Sequence, residues 1–534
     1  MSSEAEVLHR DIATTGSHGA ERRDPLDGLR VLFLPKNSRA DYFMEMISGA
    51  RKDHGWTVFV PCPADAKAIW SRVIGDAGTI RTPDFLRPTI VDSDTAARDD
   101  IDAFIAACET QSRVSAGRII LAGERDLGRG FARPAYHWFH NATAKAVLAD
   151  NAAGFPILRR MFAFARDTLL TVKPDIAIAG EWADPLCFTF QLAARHMGVR
   201  CLVNRPSKLW SGRSYWSAEL SMYNVAARAL AERLRSGDAP VSERSQARIR
   251  DFRASPETLG YVKQNWDADD RQNWLAYHNN LVRMLGVQLR HAIRRQEGPA
   301  PKPALQIAVG HYRQPLLVRR QSRFFRRFDE STLRDMRYVF VAFHKDPEQA
   351  LNYQAPFWSN QLNTAALLSG ALPAGYRLLV REHRRNIGRR PTDFYRQLLR
   401  MPGVVLIDGL DDQFKYIANA DLVVTENGST GWEALMLGRR VLTLDNTFYD
   451  GAKLAHRVRD PEDLAVAVVE ALARPAVSDS ALHDRALGWM LDAEWATSAP
   501  ASPADYNAIL NGLRAALEDR TPMQSQRDSG PDNA

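Results

Sequence analysis

Lysine is scarce in this chain of 534 residues: of its 70 basic residues, 11 are Lys and 59 are Arg. Cysteine is scarcer still. Cys62, Cys108, Cys187 and Cys201 are scattered, with no CxxC pair and no His at ligand spacing. That pattern excludes a zinc ribbon and a disulfide framework, and free thiols fit a reducing compartment. No apolar run approaches the ~18–20 residues of a membrane span. The segment 1–30 is polar and lacks the apolar core of a signal peptide. The expected location is therefore the cytoplasm.

What is present is ordinary for a soluble globular chain: 45% hydrophobic and 25% charged residues, which excludes a wholly disordered or fibrous protein. The formal charge is +7. Arginine offers planar forks for phosphate and carboxylate, but GC-rich codons produce the same excess. Charge alone does not imply nucleic acid, and no recognition helix or RNP-type aromatic motif is present. No specific nucleic-acid partner is expected.

Residues 1–27 and 520–534 lack periodicity and read as disordered tails. Between them short apolar runs alternate with amphipathic stretches. Strands are expected at 29–34, 56–60, 118–122, 175–179 and 199–203, with helices over 41–54 and 185–197. The middle, 219–296, reads as helical. Residues 297–305, with three prolines and a glycine, read as a linker because they cannot continue a helix. Strands resume at 338–343, 376–381, 404–407, 422–425 and 441–444, and helices at 461–473, 480–495 and 503–518 close the chain. Continuous apolar strands separated by helices are the pattern of a parallel sheet covered on both faces. The expected fold class is α/β: two Rossmann-like doubly wound domains facing across a cleft, with closing helices. The divisions are 28–296, 306–475 and 476–519.

The chemistry concentrates in the second unit. In Asp421-Leu-Val-Val-Thr-Glu-Asn-Gly-Ser-Thr-Gly-Trp-Glu-Ala-Leu-Met-Leu-Gly438 a buried strand runs through a small-residue turn into a helix. Gly428 and Gly431 permit close backbone approach or positive φ, and Ser429 and Thr430 offer caps and hydroxyls. First-turn amides and the helix dipole favour a phosphate, contributing roughly 0.3–1 kcal/mol toward an exposed anion. Asn427 lies in the same turn, and Glu433, one turn in, can accept from ribose hydroxyls. Taken alone, the segment is equally an ordinary capped helix. A second strand, 376–381, delivers Glu382 and His383 at its carboxyl end, where open parallel sheets bind ligands. His383 can donate to a phosphate oxygen, and Arg381, Arg384, Arg385 and Arg389 add positive charge. A third, Val339 to Phe343, delivers His344, Lys345 and Glu348 to the same edge. Gln361 and Asn363 fall near the start of a helix expected at 356–371.

These segments occur in a particular order. A strand leads to His344-x-x-Pro-Glu348, then to Leu-Pro-x-Gly-Tyr-x-Leu-x-Val-x-Glu-His383, then to Gly388-Arg-Arg390 with Phe394-Tyr395. Val404-Val-Leu-Ile407, Asn419-Ala-Asp-Leu-Val-Val-Thr425 and Gly428-Ser-Thr-Gly-x-Glu-Ala-Leu-x-x-Gly-Arg-Arg-Val441 follow. The set resembles the bacterial capsule polysaccharide biosynthesis family, which includes the Kdo transferases of capsule assembly, over about residues 337–450. In the first half, Pro174-Asp175, Gly198-Val199, Arg205 and Arg213 look like that family's acceptor-side unit.

The resemblance implies a GT-B fold, with a nucleotide-sugar in the C-terminal domain and an acceptor presented by the N-terminal one. By position, His383 would bind the donor phosphate, Ser429, Thr430 and Gly431 would line the phosphate and sugar, and Glu433 would hold the ribose. His344, Glu348, Glu382, Arg384, Asn427 and Gly428 complete the expected donor site. The family's usual His-Pro pair is here His383-Arg384, a departure that places a basic group where a further phosphate could sit. The donor would be CMP- or UDP-linked, as substrate, with no cofactor; the acceptor would be an oligosaccharide or lipid-linked glycan.

Glycosyl transfer also needs an activated acceptor hydroxyl. Glu124, Asp126 and Glu181 stand at expected strand ends of the first unit and are the candidate bases. Asp184 before Pro185 reads better as a helix cap. The run 136–140 can stack on sugars or form a buried helix face. The Asp-x-Asp triplets at 92–94, 100–102 and 267–269 follow no clear strand, so no metal is expected. The stretch 313–327, with six arginines and five bulky apolar residues, either lies on an anionic inner-membrane surface as a peripheral contact or is a solvated helix. The expected function is a glycosyltransferase of surface polysaccharide synthesis. The rivals are a sugar-nucleotide epimerase, a polyol-phosphate transferase, or a non-catalytic polysaccharide-export scaffold.

Overall fold

The computed structural model describes residues 24–35, 40–62, 64–85, 87–122, 154–180, 185–218, 223–257, 282, 286, 289, 316–346, 348, 350–474, 481–501 and 506–518. Glu124, Asp126, Glu181, Asp184, the run 136–140, the triplet 267–269 and the expected linker lie outside the described residues.

The strands of the first half are β1 (Arg30–Leu34), β2 (Thr57–Cys62), β3 (Thr79–Arg81), β4 (Ile176–Ala179), β5 (Arg200–Pro206) and β6 (Arg213–Ala218). Those of the second are β7 (Tyr338–Ala342), β8 (Arg377–Arg381), β9 (Val404–Ile407), β10 (Leu422–Thr425), β11 (Val441–Thr443) and β12 (His456–Arg457), followed by β13 (Ala499–Pro500). They build two sheets, β13-β6-β5-β4-β1-β2-β3 and β12-β11-β10-β7-β8-β9. Every pair in the second is parallel. The first is parallel except where β6 pairs with β5 and β13.

The apolar runs are continuous because both faces of each central strand are covered. Along β7, Tyr338 and Phe340 enter one core cluster while Val339 and Val341 enter the other, all four fully buried. Along β1, Leu32 and Leu34 face one cluster and Val31 and Phe33 the opposite one. At roughly 1.5–3 kcal/mol per fully buried large apolar side chain, the middle of such a strand is kept apolar on both faces.

In the second sheet the chain runs outward from β7 through β8 to β9. It then returns to the far side of β7 as β10 and proceeds to β12. The strand order therefore reverses between β7 and β10, the place where open α/β sheets bind ligands beyond their carboxyl ends. The first sheet reverses in the same way between β1 and β4.

Three features differ from the sequence expectations. Residues 118–122 are not a strand but part of helix Ala116–Ala122, whose buried residues are Ala116, Ile119 and Ala122, with Leu121 exposed. A spacing of three is helical, and the short apolar run Ile-Ile-Leu is ambiguous between the two readings. Glu124 and Asp126 thus follow a helix. Strand β6 has no apolar run to mark it, because its buried positions include serines, satisfied by Tyr42 Oη at Ser214 (3.2 Å) and Arg205 Nε at Ser217 (2.9 Å). Finally, helices Val225–Ser236 and Glu243–Ala254, assigned with the first half, place Ala227, Ala231, Ile249 and Phe252 in a core cluster of the second sheet.

The chain also returns at its end. Helix Ala481–Thr497 packs on helix Val225–Ser236, β13 extends the first sheet, and helix Tyr506–Glu518 packs on helix Ala40–His54. Among the described Asp-x-Asp acids, Asp92, Asp100 and Asp102 pair with Arg160, Arg166 and Arg159, and Asp94 caps helix Thr95–Ser112. No helix among the described residues is long and apolar enough to cross a membrane.

Candidate functional site

Register fixes the geometry of the reversal point. Val341 of β7 is level with Val424 of β10 and Val380 of β8, and Ala342 is level with Arg381. His344 and His383 therefore stand at equivalent positions, two residues beyond neighbouring strands, with the turn 426–428 leaving β10 alongside. The His344 carbonyl accepts from Asn386 Nδ2 at 3.0 Å and Gln361 Nε2 at 3.4 Å, which holds the loop in place.

The imidazole of His344 lies between two carboxylates. Nδ1 is 3.3 Å from Glu348 Oε2, and Nε2 is 3.4 Å from Glu426 Oε2. Burial disfavours the charged ring, but the Glu348 hydrogen bond and the Glu426 charge outweigh it and raise the His344 pKa. Glu348 responds in kind: burial pushes it up, yet bonding to His344 and the neighbouring cations bring it down to about 2. Glu426 is fully buried, and apart from the His344 contact neither of its carboxylate oxygens has a hydrogen-bond partner among the described residues. Burial raises its pKa. The direction we assign to this pair is a His344 shifted toward its protonated form chiefly by Glu348, beside a Glu426 shifted by burial toward its neutral acid.

His383 is the opposite case. Burial, aided by the charges of Arg381, His344 and Lys345, pulls its pKa down to about 3 despite Glu348. Its Nδ1 accepts the Arg385 amide at 3.2 Å, so in the neutral ring the proton is on Nε2. His383 is a neutral single donor, where the sequence offered only a histidine.

Helix Ser429–Met436 begins at this edge. Its N-cap is Gly428 at φ −80 and ψ 169, with no side-chain cap bond, so neither Ser429 nor Thr430 caps it as expected. Gly428 N instead donates to Thr425 Oγ1 at 2.9 Å. Neither glycine is required for positive φ; both answer a lack of space. A Cβ on Gly428 would lie 3.1 Å from His344 Nε2, and one on Gly431 would lie 1.9 Å from Tyr449 Oη. His344 is therefore packed directly against the N-terminus of this helix. Asn427 is 3% exposed, Ser429 is half-buried, and Thr430 is buried.

Other expected contacts are already engaged inside the protein. Glu382 is 1% exposed. It accepts from the His383 amide at 2.7 Å and Asn386 Nδ2 at 2.9 Å, and pairs with Arg390 Nε at 2.9 Å. Arg390 also reaches Asp346 at 2.8 Å. Glu382 is thus a strut of the loop and not a donor contact. Arg381, expected on the rim, turns inward to the carbonyls of Gly409 (2.7 Å) and Asp411 (3.1 Å) and to Gln413 Oε1 (3.3 Å). Gln413 Nε2 then donates to Glu433 Oε2 at 2.9 Å, and Glu433 is fully buried. That bond occupies one carboxylate oxygen of a fully buried side chain, so a ribose contact by Glu433 requires access to the other. Arg384, Arg385 and Arg389 are half-buried on the same loop. Gln361 is buried and Asn363 is exposed.

The site includes residues the sequence did not single out. Glu426 stood inside the quoted segment, one position past the strand; an acid adjoining a buried strand end was the available signal. Tyr449 and Gln413 carried none, because their roles depend on tertiary packing. Lys208 lies far away in sequence, in the β5–β6 turn. Its Nζ sits 4.8 Å from the Phe448 ring centroid, and its charge acts on His344 and Glu348. Other contacts link the halves: Arg118 Nη2 to Tyr353 O at 3.1 Å and Asn352 Nδ2 to Ala122 O at 3.1 Å.

Strand order and site define an α/β protein with a parallel doubly wound second sheet and a cluster of polar side chains at its order reversal. No family model matches the chain, and no curated protein matches it. Solved structures similar to it include the Thermosulfurimonas dismutans KpsC beta Kdo 2,4 transferase, at 12% identity over 59% of this chain and 79% of that one, TM-score 0.31. The beta Kdo 2,7 transferase of the same organism's KpsC is 16% identical over 34% of this chain and 55% of its own length, TM-score 0.21. A Neisseria meningitidis UDP-GlcNAc 2-epimerase bound to UDP-GlcNAc is 12% identical over 92% and 100%, TM-score 0.27. Likeness at this level fixes neither architecture nor activity, and the fold class here rests on the strand order itself.

Proposed function

We propose that the protein is a glycosyltransferase that takes a sugar from a nucleotide-activated donor and passes it to a surface-polysaccharide or glycolipid acceptor, on two Rossmann-like units facing across a cleft. The supporting observation is the coincidence, at the β7–β10 reversal, of a helix N-terminus without a side-chain cap, a neutral His383 donor and a His344 set between two carboxylates. Amides and preset donors aimed at a phosphate stabilise the charge that grows on a departing nucleotide. Ser429 and Thr430 supply first-turn amides, and His383 Nε2–H supplies a directed hydrogen bond. The acceptor hydroxyl would be deprotonated by an acid of the first unit, with Glu124, Asp126 and Glu181 as the candidates. The basic stretch 313–327 would bring the protein to an anionic inner-membrane surface carrying a lipid-linked acceptor.

The test is purified protein offered CMP-Kdo and a panel of UDP- and GDP-sugars, with and without oligosaccharide or lipid acceptor. Nucleotide release that requires acceptor is the expected result. Isomerisation of a donor without acceptor would replace this reading with an epimerase, and the absence of both would leave a binding scaffold.

A further inference from the structure

The β5–β6 turn is locked from several sides. Ser207 Oγ donates to Glu494 Oε1 at 2.7 Å, and the amides of Leu209 and Trp210 donate back to Ser207 Oγ at 3.3 and 3.1 Å. Trp210 Nε1 donates to Leu491 O at 2.9 Å, and Leu209, 2% exposed, sits in a core cluster of the second sheet with Phe448 and Tyr449. Between these anchors Lys208 projects over the Phe448 ring. Among the described residues its ammonium makes no hydrogen bond and no ion pair, although it is half-buried. Burial and Arg205 together hold its pKa down to about 8, against the pull of Glu348. A partly desolvated ammonium without a counter-ion is better satisfied by an anionic ligand than left alone.

We infer that Lys208 receives the second phosphate of a nucleoside-diphosphate donor, so that the chain selects diphosphates over monophosphates; this rests on the donor-site reading above. One phosphate is served by the first-turn amides of helix Ser429–Met436 and by His383, both on the edge of the second sheet. Lys208 is a separate cation, carried by the first sheet's turn; its Nζ lies 4.8 Å from the Phe448 ring, and Phe448 packs edge-on against Tyr449, whose Oη donates to the Gly428 carbonyl at that helix start at 3.5 Å. An ammonium is a compact point charge suited to a terminal phosphate oxygen. The rigidity of the turn keeps the cation in place before ligand arrives, so little ordering opposes the contact.

The test is calorimetric titration of the full chain, wild type and Lys208→Met, with inorganic pyrophosphate, orthophosphate, UDP, UMP, CDP and CMP. Lys208→Arg serves as a charge-retaining control, and circular dichroism confirms folding. Pyrophosphate and nucleoside diphosphates should bind Lys208→Met at least tenfold more weakly than wild type, the scale of one lost charge-assisted hydrogen bond. Orthophosphate and monophosphates should change by less than about twofold, and Lys208→Arg should retain most of the diphosphate preference. Equal losses for mono- and diphosphates, no loss, or no phosphate binding by wild type would overturn the assignment. If pyrophosphate binding depends on Lys208 while no nucleotide binds better than pyrophosphate, the glycosyl-donor reading falls and the assignment of Lys208 stands.

Discussion

His344 Nε2 and Glu426 Oε2 lie 3.4 Å apart at the point where β7 and β10 diverge, and Glu426 has no other hydrogen-bond partner among the described residues. For a buried carboxyl whose folded pKa is raised, the native state holds its proton above the ordinary range. Stability is then lost from the unfolded value near 4.5 upward, until pH passes the raised folded value. Glu426→Gln removes that loss. Urea melts should show the variant equal to wild type near pH 4 and more stable at pH 8. A variant less stable than wild type at pH 8 would mean that the ionised pair with His344 dominates.

Glu494 offers a sharper form of the same argument. It is 3% exposed, and burial lifts it to about 7 despite the hydrogen bonds from Ser207 and Asn224. The penalty is absent below the unfolded pKa of about 4.5, grows between there and pH 7, and is complete above it. At 1.36 kcal/mol per unit it amounts to about 3 kcal/mol. Glu494→Gln keeps an acceptor for Ser207, so it should stabilise the protein by that order at pH 8 and by little at pH 4, read from the midpoint of urea unfolding.

Gly431 is explained by Tyr449, since a Cβ would fall 1.9 Å from Oη. Gly431→Ala should cost about 1–3 kcal/mol, the usual price of overpacking. Adding Tyr449→Phe should recover part of that loss, since Thr425 Cγ2 still lies 2.8 Å from the added Cβ. The coupling in a double-mutant cycle checks it; purely additive effects would place the cause in the helix start and not in the tyrosine.

Much of the architecture was legible because β7, β8 and β10 are apolar on both faces, and a five-residue run such as Tyr338–Ala342 has few alternatives when turns flank it. Residues 118–122 were not legible, because three consecutive apolar residues fit a helix and a strand equally. The edge of the site was visible in His344, His383 and the turn 427–431, which follow strand ends directly. The division of labour was hidden. Glu382 and His383 are adjacent in sequence, yet one is a buried strut and the other a half-buried donor, and only the position of Arg390 separates them. Lys208 was invisible, because the β5–β6 turn meets the second sheet's core only in the folded protein, through contacts far apart in sequence such as Ser207 with Glu494 and Trp210 with Leu491.

His383 should bind phosphate as a neutral ring throughout the working range, because its pKa is held near 3. Under the proposed function, His383→Ala should weaken nucleotide binding about tenfold, the scale of one hydrogen bond to a charged group. Removing His383 should leave the pH profile of affinity between pH 5 and 8 unchanged in shape. A wild-type affinity that falls through pH 6–7, and loses that fall in His383→Ala, would show the ring acting as a cation instead.

Arg390 is the cation that Glu382 and Asp346 share, at 2.9 and 2.8 Å, and all three are at most 3% exposed. Breaking such a group on one side leaves buried charges uncompensated, at about 3–5 kcal/mol. Arg390→Met should therefore lower stability by that order in urea unfolding. The loop 383–390 should lose its shape with it, because Glu382 also holds the His383 amide and Asn386, and Asn386 holds His344. Phosphate binding should fall in parallel. Arg390→Met combined with Glu382→Gln and Asp346→Asn should recover part of the stability, since no unpaired charge remains. It should not recover binding, because the loop has lost the fork that shaped it. Recovery of both would show that the network contributes to the folded state without positioning His383.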